Sequence, residues 1–277
     1  MNRLGLTPVQ ETLLLTLHAR ARDAATTRIL DDRHAAEVAD RLNGRYDFAK
    51  LRMRPSLVVG TALRNRGLDD AVRRFTSAHQ VAVVIDLGAG LDTRALRCTP
   101  PAGVDWFDVD FPEVIALRRE LVPEHTHLVG ADATEHGWLA EIPAGRPAIV
   151  VADGFLPFLP GDAFAALTRA LAARLPRGEL AFNGYTRFAA WAMRYHPSVR
   201  ALGIKAAQGF DDAREPEGWG AGLALLQEQF LTRAPEVARF PGPVRTLTRL
   251  MARSAALSRQ GTRILRYGFR TSPAANA

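Results

Sequence analysis

The fold is decided by the stretch Val84-Ile-Asp-Leu-Gly-Ala-Gly-Leu-Asp-Thr-Arg94. It continues an apolar run that begins at Val81, and short runs of this kind are typical of strands buried on both faces of a parallel sheet. Gly88 and Gly90 allow the backbone to turn tightly and to pass close to a ligand. A helix beginning near Asp92 would present free backbone N–H groups there. The stretch therefore predicts the strand–turn–helix unit at which α/β sheets hold nucleotide-like cofactors.

The glycine turn does not have the pattern of a dinucleotide site. The dinucleotide fingerprint is Gly-x-Gly-x-x-Gly, and Thr93 stands here in place of its third glycine. The carboxylate of Asp92 would also lie close to the pyrophosphate of a bound dinucleotide, and both groups are negatively charged. A sulfonium cofactor carries no phosphate and tolerates that acid. The sequence therefore favours an adenosyl sulfonium over a nicotinamide cofactor. The two glycines by themselves are also compatible with a tight turn that binds no ligand.

Strand-like and helix-like segments alternate after this unit. Strands are predicted at residues 81–85, 104–110, 126–129, 148–152, 179–182 and 264–269. Helices are predicted between them at residues 112–121, 135–142 and 162–175. Alternation at this spacing implies crossover connections, and it predicts an α/β fold with a doubly wound, mostly parallel sheet.

The residues before the first strand have the apolar spacing of helices. Residues 8–42 and 55–75 carry apolar side chains at helical intervals. Asp31 or Asp32 is expected to cap the second helix of the first range. Gly67 is expected to break the helix of the second range.

Two regions are therefore expected along the chain. Residues 1–78 are predicted to form an N-terminal helical cap, and residues 79–277 the cofactor-binding core. Within that core, residues 186–230 interrupt the alternation after the fifth strand. We expect these residues to form a lid insertion over the site.

Acidic residues follow the ends of three predicted strands. Asp108 and Asp110 alternate onto one face of the second strand, where an acid can accept both hydrogen bonds of a ribose diol. Asp132 follows the third strand and can accept from an adenine amine, with Ala133 offering its backbone N–H. A helix cap is the alternative interpretation of Asp132. Asp153 ends the fourth strand and is expected to face the same crevice.

Three runs of sequence resemble the leucine carboxyl methyltransferase superfamily. They are the stretch from Val84 to Arg94, Asp108-Val-Asp-Phe-Pro-Glu-Val114 and Gly130-Ala-Asp-Ala-Thr134. The likeness is greatest to the tetracenomycin-type O-methyltransferase branch of bacterial polyketide pathways, and it extends over nearly the whole chain. The resemblance implies a Rossmann-like class I methyltransferase fold with seven strands, and S-adenosyl-L-methionine as the cofactor.

The resemblance also implies roles at the methionyl end of the cofactor. Arg54 would hold the methionyl carboxylate through a charge-assisted pair. Gly88 and Gly90 would pass beneath the methionyl and ribose groups. Asp153, at a position that is usually glutamate in the family, would receive the methionyl ammonium.

At the nucleoside end, the resemblance implies that Asp110 takes the ribose hydroxyls, with Asp108 as its substitute. Asp132 and Ala133 would bind the adenine.

A general base for methyl transfer is not obvious in the sequence. His196, in the predicted lid, and Tyr185 are weak catalytic candidates, whereas His136 is predicted to lie on a surface helix. A carboxylate acceptor, with a reference pKa of ~4, is already ionised at neutral pH, whereas a phenol near ~10 is helped by a base. Arg187 is a candidate for pairing with an acidic acceptor.

Aromatic residues are frequent in and near the predicted lid. They are Phe155, Phe158, Phe188, Trp191, Tyr195 and Trp219. Such side chains can line a flat apolar cavity or form ordinary core. With Arg187, we expect Phe158, Trp191 and Tyr195 to contact an acceptor. As a group they favour an aromatic or polyketide-like acceptor over a protein tail.

Three functions are open to such a chain. The first is an O-methyltransferase acting on a carboxylate or phenolic hydroxyl of a small natural product. The second is a carboxyl methyltransferase of a protein C terminus. The third is a non-methylating binding or cyclisation protein that keeps the cofactor. The third is suggested because the family usually has Glu-Gly-x-x-x-Tyr-Leu where this chain has Asp153-Gly-Phe-Leu-Pro-Phe158-Leu159.

Composition and charge exclude several classes of protein. The chain has 277 residues, a length that fits one main domain with appendages. Hydrophobic residues make up 47% of the chain and charged residues 23%, and this composition excludes a largely disordered protein. The net charge is +7, but only Lys50 and Lys205 are lysine among 36 basic residues, and the arginines are spread throughout. This distribution indicates compositional bias and disfavours a nucleic-acid patch. We expect a small-molecule partner, with neither nucleic acid nor membrane.

The remaining features concern location and metals. No apolar run approaches the ~20 residues of a membrane span, and residues 1–22 do not have the pattern of a secretory signal. A cytoplasmic location is therefore expected. Cys98 is the single cysteine, which excludes intrachain disulfides and cysteine zinc sites, and no metal is predicted. The sequence leaves the choice between monomer and homodimer open.

Overall fold

The computed structural model describes residues 4–51, 53–123, 126–193, 195 and 208–270. Its strands are β1 (Ala82–Leu87), β2 (Val104–Asp110), β3 (His127–Gly130), β4 (Ala148–Ala152), β5 (Arg177–Gly184), β6 (Leu223–Phe230) and β7 (Arg263–Arg270). Its α-helices, within the described residues, are α1 (Thr12–Ala25), α2 (Arg33–Arg41), α3 (Pro55–Ala78), α4 (Arg94–Cys98), α5 (Pro112–Leu121), α6 (Ala163–Arg174), α7 (Arg187–Met193), α8 (Gly242–Ala252) and α9 (Ala255–Arg259).

The strands form one seven-stranded sheet in the order β3-β2-β1-β4-β5-β7-β6. Strands β1 to β5 pair in parallel, and β7 lies antiparallel between β5 and β6. The predicted doubly wound, mostly parallel sheet is confirmed. The strand order reverses between β1 and β4, and ligands bind at such a switch point, beyond the carboxyl ends of the strands.

Both faces of the sheet are covered by helices. Along β1, Val83 and Ile85 point into a core shared with α6, whereas Ala82 and Val84 point into a core shared with α3. All four side chains are fully buried. This explains why β1 is a continuous apolar run and shows no alternation of polar and apolar residues.

The N-terminal helices pack beside the carboxyl edge of the sheet. Helices α1 and α2 share a third apolar core with α5, with Leu14, Leu17 and Val38 fully buried in it. The predicted cap is confirmed at Asp32, which accepts a hydrogen bond from the backbone N–H of Ala35 at 3.0 Å.

The break expected at Gly67 is wrong. Helix α3 runs without interruption for 24 residues. A Cβ atom at Gly67 would lie 2.9 Å from Cγ1 of Ile264 on β7. The glycine therefore allows the helix to approach the sheet closely. Glycine also has a low helix propensity, which is why the sequence predicted a break at this position.

The predicted extent of the lid insertion, residues 186–230, also needs correction. Its last eight residues are β6, which pairs with β7 at the edge of the sheet. Gln227 and Glu228 interrupt the apolar pattern of this strand, because an edge strand is only partly covered. Residue 194 and residues 196–207 of the insertion lie outside the described part of the chain.

A buried network of charges fixes the glycine turn after β1. The Arg94 guanidinium donates to both carboxylate oxygens of Asp86 at 3.0 and 2.9 Å and to one of Asp69 at 2.9 Å. It also donates to Asn65 at 2.9 Å and to Asp92 at 3.0 Å. Asp92 therefore serves the turn as an ion-pair partner.

No helix in the described residues is long and apolar enough to cross a membrane.

Candidate functional site

A cavity of about 620 Å³ opens at the carboxyl ends of β1, β2 and β4. Helices α1, α3 and α7 supply its other walls. It brings together ten residues that the sequence analysis selected: Arg54, Gly88, Gly90, Asp110, Asp132, Ala133, Asp153, Phe158, Tyr185 and Tyr195.

The floor of the cavity is the glycine turn. Gly88 and Gly90 have φ angles of 65° and 51°, in the left-handed region that favours glycine. A Cβ atom at Gly88 would lie 2.8 Å from Cδ2 of Phe155, and one at Gly90 would lie 3.1 Å from Cβ of Leu13. Glycine at these positions thus permits the left-handed turn and the close approach of Phe155 and Leu13, two side chains that line the cavity.

Asp110 stands at the end of β2 with its carboxylate in the cavity wall. Its two oxygens accept from the backbone N–H groups of Gly90 and Phe111, each at 2.8 Å. Burial raises the pKa of Asp110 to about 6, although these two N–H groups oppose the rise. Each oxygen retains a lone pair, so the carboxylate can accept two further hydrogen bonds from a ligand diol.

The expectation that Asp108 can substitute for Asp110 is wrong. The Asp108 carboxylate accepts from Arg118 at 3.0 Å, Trp106 at 3.0 Å and Thr126 at 2.7 Å, and the residue is 1% exposed. It does not line the cavity. The two acids share a face of β2, but Asp108 lies within the body of the sheet, where α5 covers it.

Asp132 and Ala133 line the cavity beyond β3. One oxygen of Asp132 accepts from the backbone N–H and the hydroxyl of Thr134, at 2.8 and 2.7 Å. This local turn fixes the carboxylate and leaves its second oxygen for a ligand amine.

Asp153 lines the cavity after β4 and is held by two residues of α3. Nε of Arg64 donates to one carboxylate oxygen at 2.6 Å, and the amide of Asn65 donates to the other at 3.0 Å. Burial alone would lower the pKa of Arg64, but the charge of Asp153 and its hydrogen bond outweigh burial and raise it. The cavity therefore holds a charged arginine–aspartate pair, and the sequence analysis missed its arginine.

Helical spacing is the signal that identifies Arg64. The residues of α3 and its N-cap that line the cavity are Arg54, Leu57, Thr61 and Arg64. These intervals of three, four and three residues describe one face of a helix. Arg54 begins that face as the N-cap residue and is exposed, whereas the Arg64 side chain is 11% exposed.

One buried polar atom in this wall has no partner among the described residues. The hydroxyl of Thr61 is enclosed and makes no hydrogen bond. An unsatisfied buried hydroxyl on the helix face that carries Arg64 fits a polar ligand group at this end of the cavity. The residues present therefore fit the cofactor that the resemblance implies.

The rest of the cavity is mainly apolar. It is lined by Val9, Leu13, Phe155, Phe158, Leu159, Met193 and Tyr195. Tyr185 also lines the cavity. No histidine in the described part of the chain lines the cavity, and His196 lies outside the described residues.

Two expected acceptor contacts lie elsewhere. Arg187 is exposed and pairs with Asp211 at 3.2 Å and Glu215 at 2.8 Å, so its charge is already occupied on the surface. Trp191 is 47% exposed and lies on the outer side of α7, against Phe188. A seven-residue helix at the rim turns only some of its side chains inward, and its sequence did not indicate which ones.

Two other aromatic candidates also lie outside the cavity. Trp219 packs on Phe164 and Phe210 as part of the core. Phe188 is 62% exposed.

Comparisons with known proteins agree with this geometry. The family model for leucine carboxyl methyltransferase matches residues 13–172. The chain is 36% identical over 269 residues to the tetracenomycin polyketide synthesis O-methyltransferase TcmP of Streptomyces glaucescens, covering 96% of this chain and 98% of that protein. It is 29% identical over 251 residues to the S-adenosyl-L-methionine-dependent methyltransferase dpfgK of Gibberella zeae, covering 83% and 84%.

A solved structure shows the same fold at low identity. A DUF574 family protein from Streptomyces avermitilis superposes with a TM-score of 0.56 at 19% identity, covering 92% of this chain and 97% of that one. A seven-stranded sheet with an antiparallel β7, a glycine turn at its switch point and a family match over more than half of the chain lead to one conclusion. The chain belongs to the leucine carboxyl methyltransferase family and is an S-adenosyl-L-methionine-dependent methyltransferase.

Proposed function

We propose that this chain is an O-methyltransferase whose acceptor is a carboxylate or phenolic hydroxyl of a small aromatic, polyketide-like compound. The observation that carries the proposal is the apolar part of the cavity, which continues from the charged end and is walled by α1 and α7. A flat apolar molecule fits such walls, whereas a charged protein tail does not. The name of TcmP, which matches nearly the whole chain, supports the same class of acceptor.

The cofactor would lie along the carboxyl edge of the sheet. Asp132 and Ala133 would bind its adenine, and Asp110 its ribose hydroxyls. Its methionyl group would cross the glycine turn to the Arg64–Asp153 pair. When bound, S-adenosyl-L-methionine supplies the electrophilic methyl group.

The Arg64–Asp153 pair matches the charges of an amino-acid group. The carboxylate of a zwitterion needs a cation, which Arg64 offers, and its ammonium needs an anion, which Asp153 offers. Two opposite charges held 2.6 Å apart bind such a group without leaving an uncompensated charge. Arg54, exposed at the rim, is placed to attract an anionic ligand at the entrance.

Methyl transfer in this cavity depends on alignment of the two reactants. The described residues that line it include no histidine, and its acids are engaged with backbone groups, arginines or Thr134. This arrangement favours an acceptor that enters as an anion over one that must lose a proton in the site.

Two probes with the same fused rings test the acceptor class: 2-naphthoic acid and 2-naphthol. We expect a methyl ester from the acid at a rate that is constant between about pH 7 and 9, because a carboxylate is ionised throughout. We expect the ether from 2-naphthol to form only as the pH approaches about 10, where a phenol ionises. Mass spectrometry detects both products, and mild base hydrolyses only the ester.

Asp110→Asn is the control for cofactor-dependent turnover. Ether formation at pH 7 as fast as ester formation would show that a base operates in the site, and would contradict an acceptor that enters already ionised. Methylation of a peptide C terminus and of neither probe would support a protein acceptor. Cofactor binding without any methylated product would support the non-methylating function.

The pKa of Asp110 predicts how cofactor affinity depends on pH. Only the ionised carboxylate accepts from both ribose hydroxyls, so the cofactor binds the deprotonated protein. Since burial raises this pKa to about 6, affinity should be constant above about pH 6 and fall about tenfold per pH unit below it. Isothermal titration calorimetry with S-adenosyl-L-homocysteine, from pH 5 to pH 8, measures this dependence.

Asp110→Asn is again the matched control, because it keeps the shape and removes the titration. It should bind more weakly and lose the change near pH 6. A wild-type affinity that stays flat down to pH 5 would refute the role given to Asp110.

A further inference from the structure

Within the described residues, the hydroxyl of Thr61 differs from those of the other buried threonines on α-helices. Thr76 on α3 and Thr168 on α6 donate to the carbonyl one turn earlier, at 3.0 and 2.7 Å. This back-bond is the usual way in which a helical threonine satisfies its hydroxyl. Thr61 is 1% exposed, yet its hydroxyl has no partner among the described residues. Thr61 is one of the residues that line the cavity, so a ligand atom is the partner that the site can supply.

A hydrogen bond from Asn183 fixes the orientation of the Tyr185 hydroxyl. The backbone N–H of Gly154 donates to Oδ1 of Asn183 at 2.6 Å, which fixes the amide with its Nδ2 toward Tyr185. Nδ2 then donates to the Tyr185 oxygen at 2.9 Å. Asn183 is 1% exposed, so this orientation is held by the core. Because the tyrosine oxygen accepts this bond, its proton is directed elsewhere, and Tyr185 lines the cavity.

Both hydroxyls belong to the end of the cavity where Arg64 lies. Thr61 is three residues before Arg64 on the same face of α3. Tyr185 is close enough to Arg64 to contribute to the rise in the pKa of its guanidinium. Asp153, the acceptor of this end, is already the partner of Arg64 and Asn65. Among the groups described above, this end thus offers the Arg64 guanidinium, the two hydroxyl donors and the Asp153 carboxylate.

An amino-acid group presents one acceptor, the carboxylate, and one donor, the ammonium. The ammonium requires Asp153, which leaves the two hydroxyls and Arg64 for the carboxylate. A carboxylate accepts several hydrogen bonds at once, so the three donors do not compete. We infer that the hydroxyls of Thr61 and Tyr185 donate hydrogen bonds to the methionyl carboxylate of S-adenosyl-L-methionine, beside Arg64.

Ligand analogues test this inference without any acceptor. S-adenosyl-L-methionine and decarboxylated S-adenosylmethionine differ only in the carboxylate. Calorimetric titration measures the affinity of both ligands for wild type, Thr61→Val and Tyr185→Phe. For each variant the four affinities form a double-mutant cycle, in which one change removes the protein hydroxyl and the other removes the ligand carboxylate. We expect each variant to bind S-adenosyl-L-methionine about tenfold more weakly, the effect of one hydrogen bond to a charged group. Binding of the decarboxylated analogue should change less than about twofold in either variant.

The controls remove a matched hydroxyl away from the cavity. Thr76→Val deletes the satisfied hydroxyl of the same helix, and Tyr46→Phe deletes that of a tyrosine outside the cavity wall. Both should bind the two ligands as wild type does. Thr61→Ser keeps the hydroxyl and should restore the affinity that Thr61→Val loses. Thermal melting establishes that each variant is folded.

Equal losses for both ligands would overturn the inference, because the hydroxyls would then act on a part of the cofactor other than its carboxylate. Unchanged affinity for S-adenosyl-L-methionine in both variants would also overturn it. If Thr61→Val does not fold, Tyr185→Phe decides the question alone. None of these outcomes depends on the acceptor, so failure of the proposed acceptor class would leave the result intact.

Discussion

Replacing Arg64 with methionine is expected to weaken S-adenosyl-L-methionine binding about 100-fold or more. Methionine keeps much of the length of the side chain and removes the charge. The change deprives the methionyl carboxylate of its cation and leaves the largely buried Asp153 without its ion-pair partner. Loss of charged hydrogen bonds of this kind, and of one member of a buried pair, costs several kcal/mol. Calorimetric titration near pH 7.5 measures the affinity.

Two further variants separate the arginines of α3. Arg74→Met changes an exposed residue 4.0 Å from Glu179 and should bind the cofactor as wild type does. Arg54→Met changes the exposed rim residue to which the resemblance assigned the carboxylate, and a loss of only about threefold is expected for a screened surface charge. A large loss in Arg54→Met together with near-normal binding in Arg64→Met would restore the original assignment and refute this one.

The sequence predicted the part of the cavity at the glycine turn and β2 better than the part formed by α3. Gly88, Gly90 and Asp110 are consecutive parts of a strand–turn–strand-end pattern, so their positions follow from the parallel sheet alone. The alternation of Asp108 and Asp110 predicted a shared face, which is correct. Helix α5 covers β2 at Asp108 but not at Asp110, so only Asp110 reaches the cavity. How far a helix extends over a strand is a tertiary feature, and the spacing of the two acids does not predict it.

Arg64 was missed for a different reason. A chain whose basic residues are nearly all arginine gives no weight to any single one. The face from Arg54 to Arg64 lies before Gly67, within the helix that the sequence predicts. Which face of that helix lines a cavity is decided by how α3 packs on the sheet, and this tertiary contact is not contained in the local spacing.

The lid region was the least predictable part of the described chain. Strand β6 gains its strand conformation from pairing with β7, and its mixed sequence is consistent with a half-covered edge. The aromatic residues in and after α7 suggested an inward-facing group, yet of Phe188, Trp191 and Tyr195 only Tyr195 is among the residues that line the cavity. Aromatic content alone does not specify which side of a short rim helix faces a ligand.

The charges around the glycine turn illustrate how one motif serves both folding and binding. Asp92 pairs with Arg20 at 3.0 Å, Arg97 at 2.7 Å and Arg94 at 3.0 Å. Arg20 comes from α1, so this acid links the N-terminal helices to the turn. The same network holds the backbone of the turn in the conformation that Gly88 and Gly90 allow. A substitution that disrupts the network is therefore expected to lower the free energy of unfolding as its first effect.

Arg94→Met is expected to destabilise the folded protein by about 3–5 kcal/mol, the cost of removing one partner from a buried set of charges. Arg94 is 1% exposed, and its removal leaves Asp86 and Asp69 buried without the bonds of 2.9–3.0 Å that it provides. Urea denaturation followed by circular dichroism at pH 7 measures the change in unfolding free energy. Arg119→Met, an exposed arginine on α5, is the control and should differ from wild type by less than about 0.5 kcal/mol.

The pH dependence of this deficit tests its cause. Burial raises the pKa of Asp86 to about 8 even beside Arg94, and removal of that cation raises it further. Raising the pH from 7 to 9 should therefore enlarge the deficit, because folded wild type releases this proton whereas the folded variant keeps it and the unfolded chain has already lost it. A deficit that is the same at both pH values would show that Arg94 acts through packing of its side chain, and a deficit below about 1 kcal/mol at pH 7 would contradict the network as the support of the glycine turn.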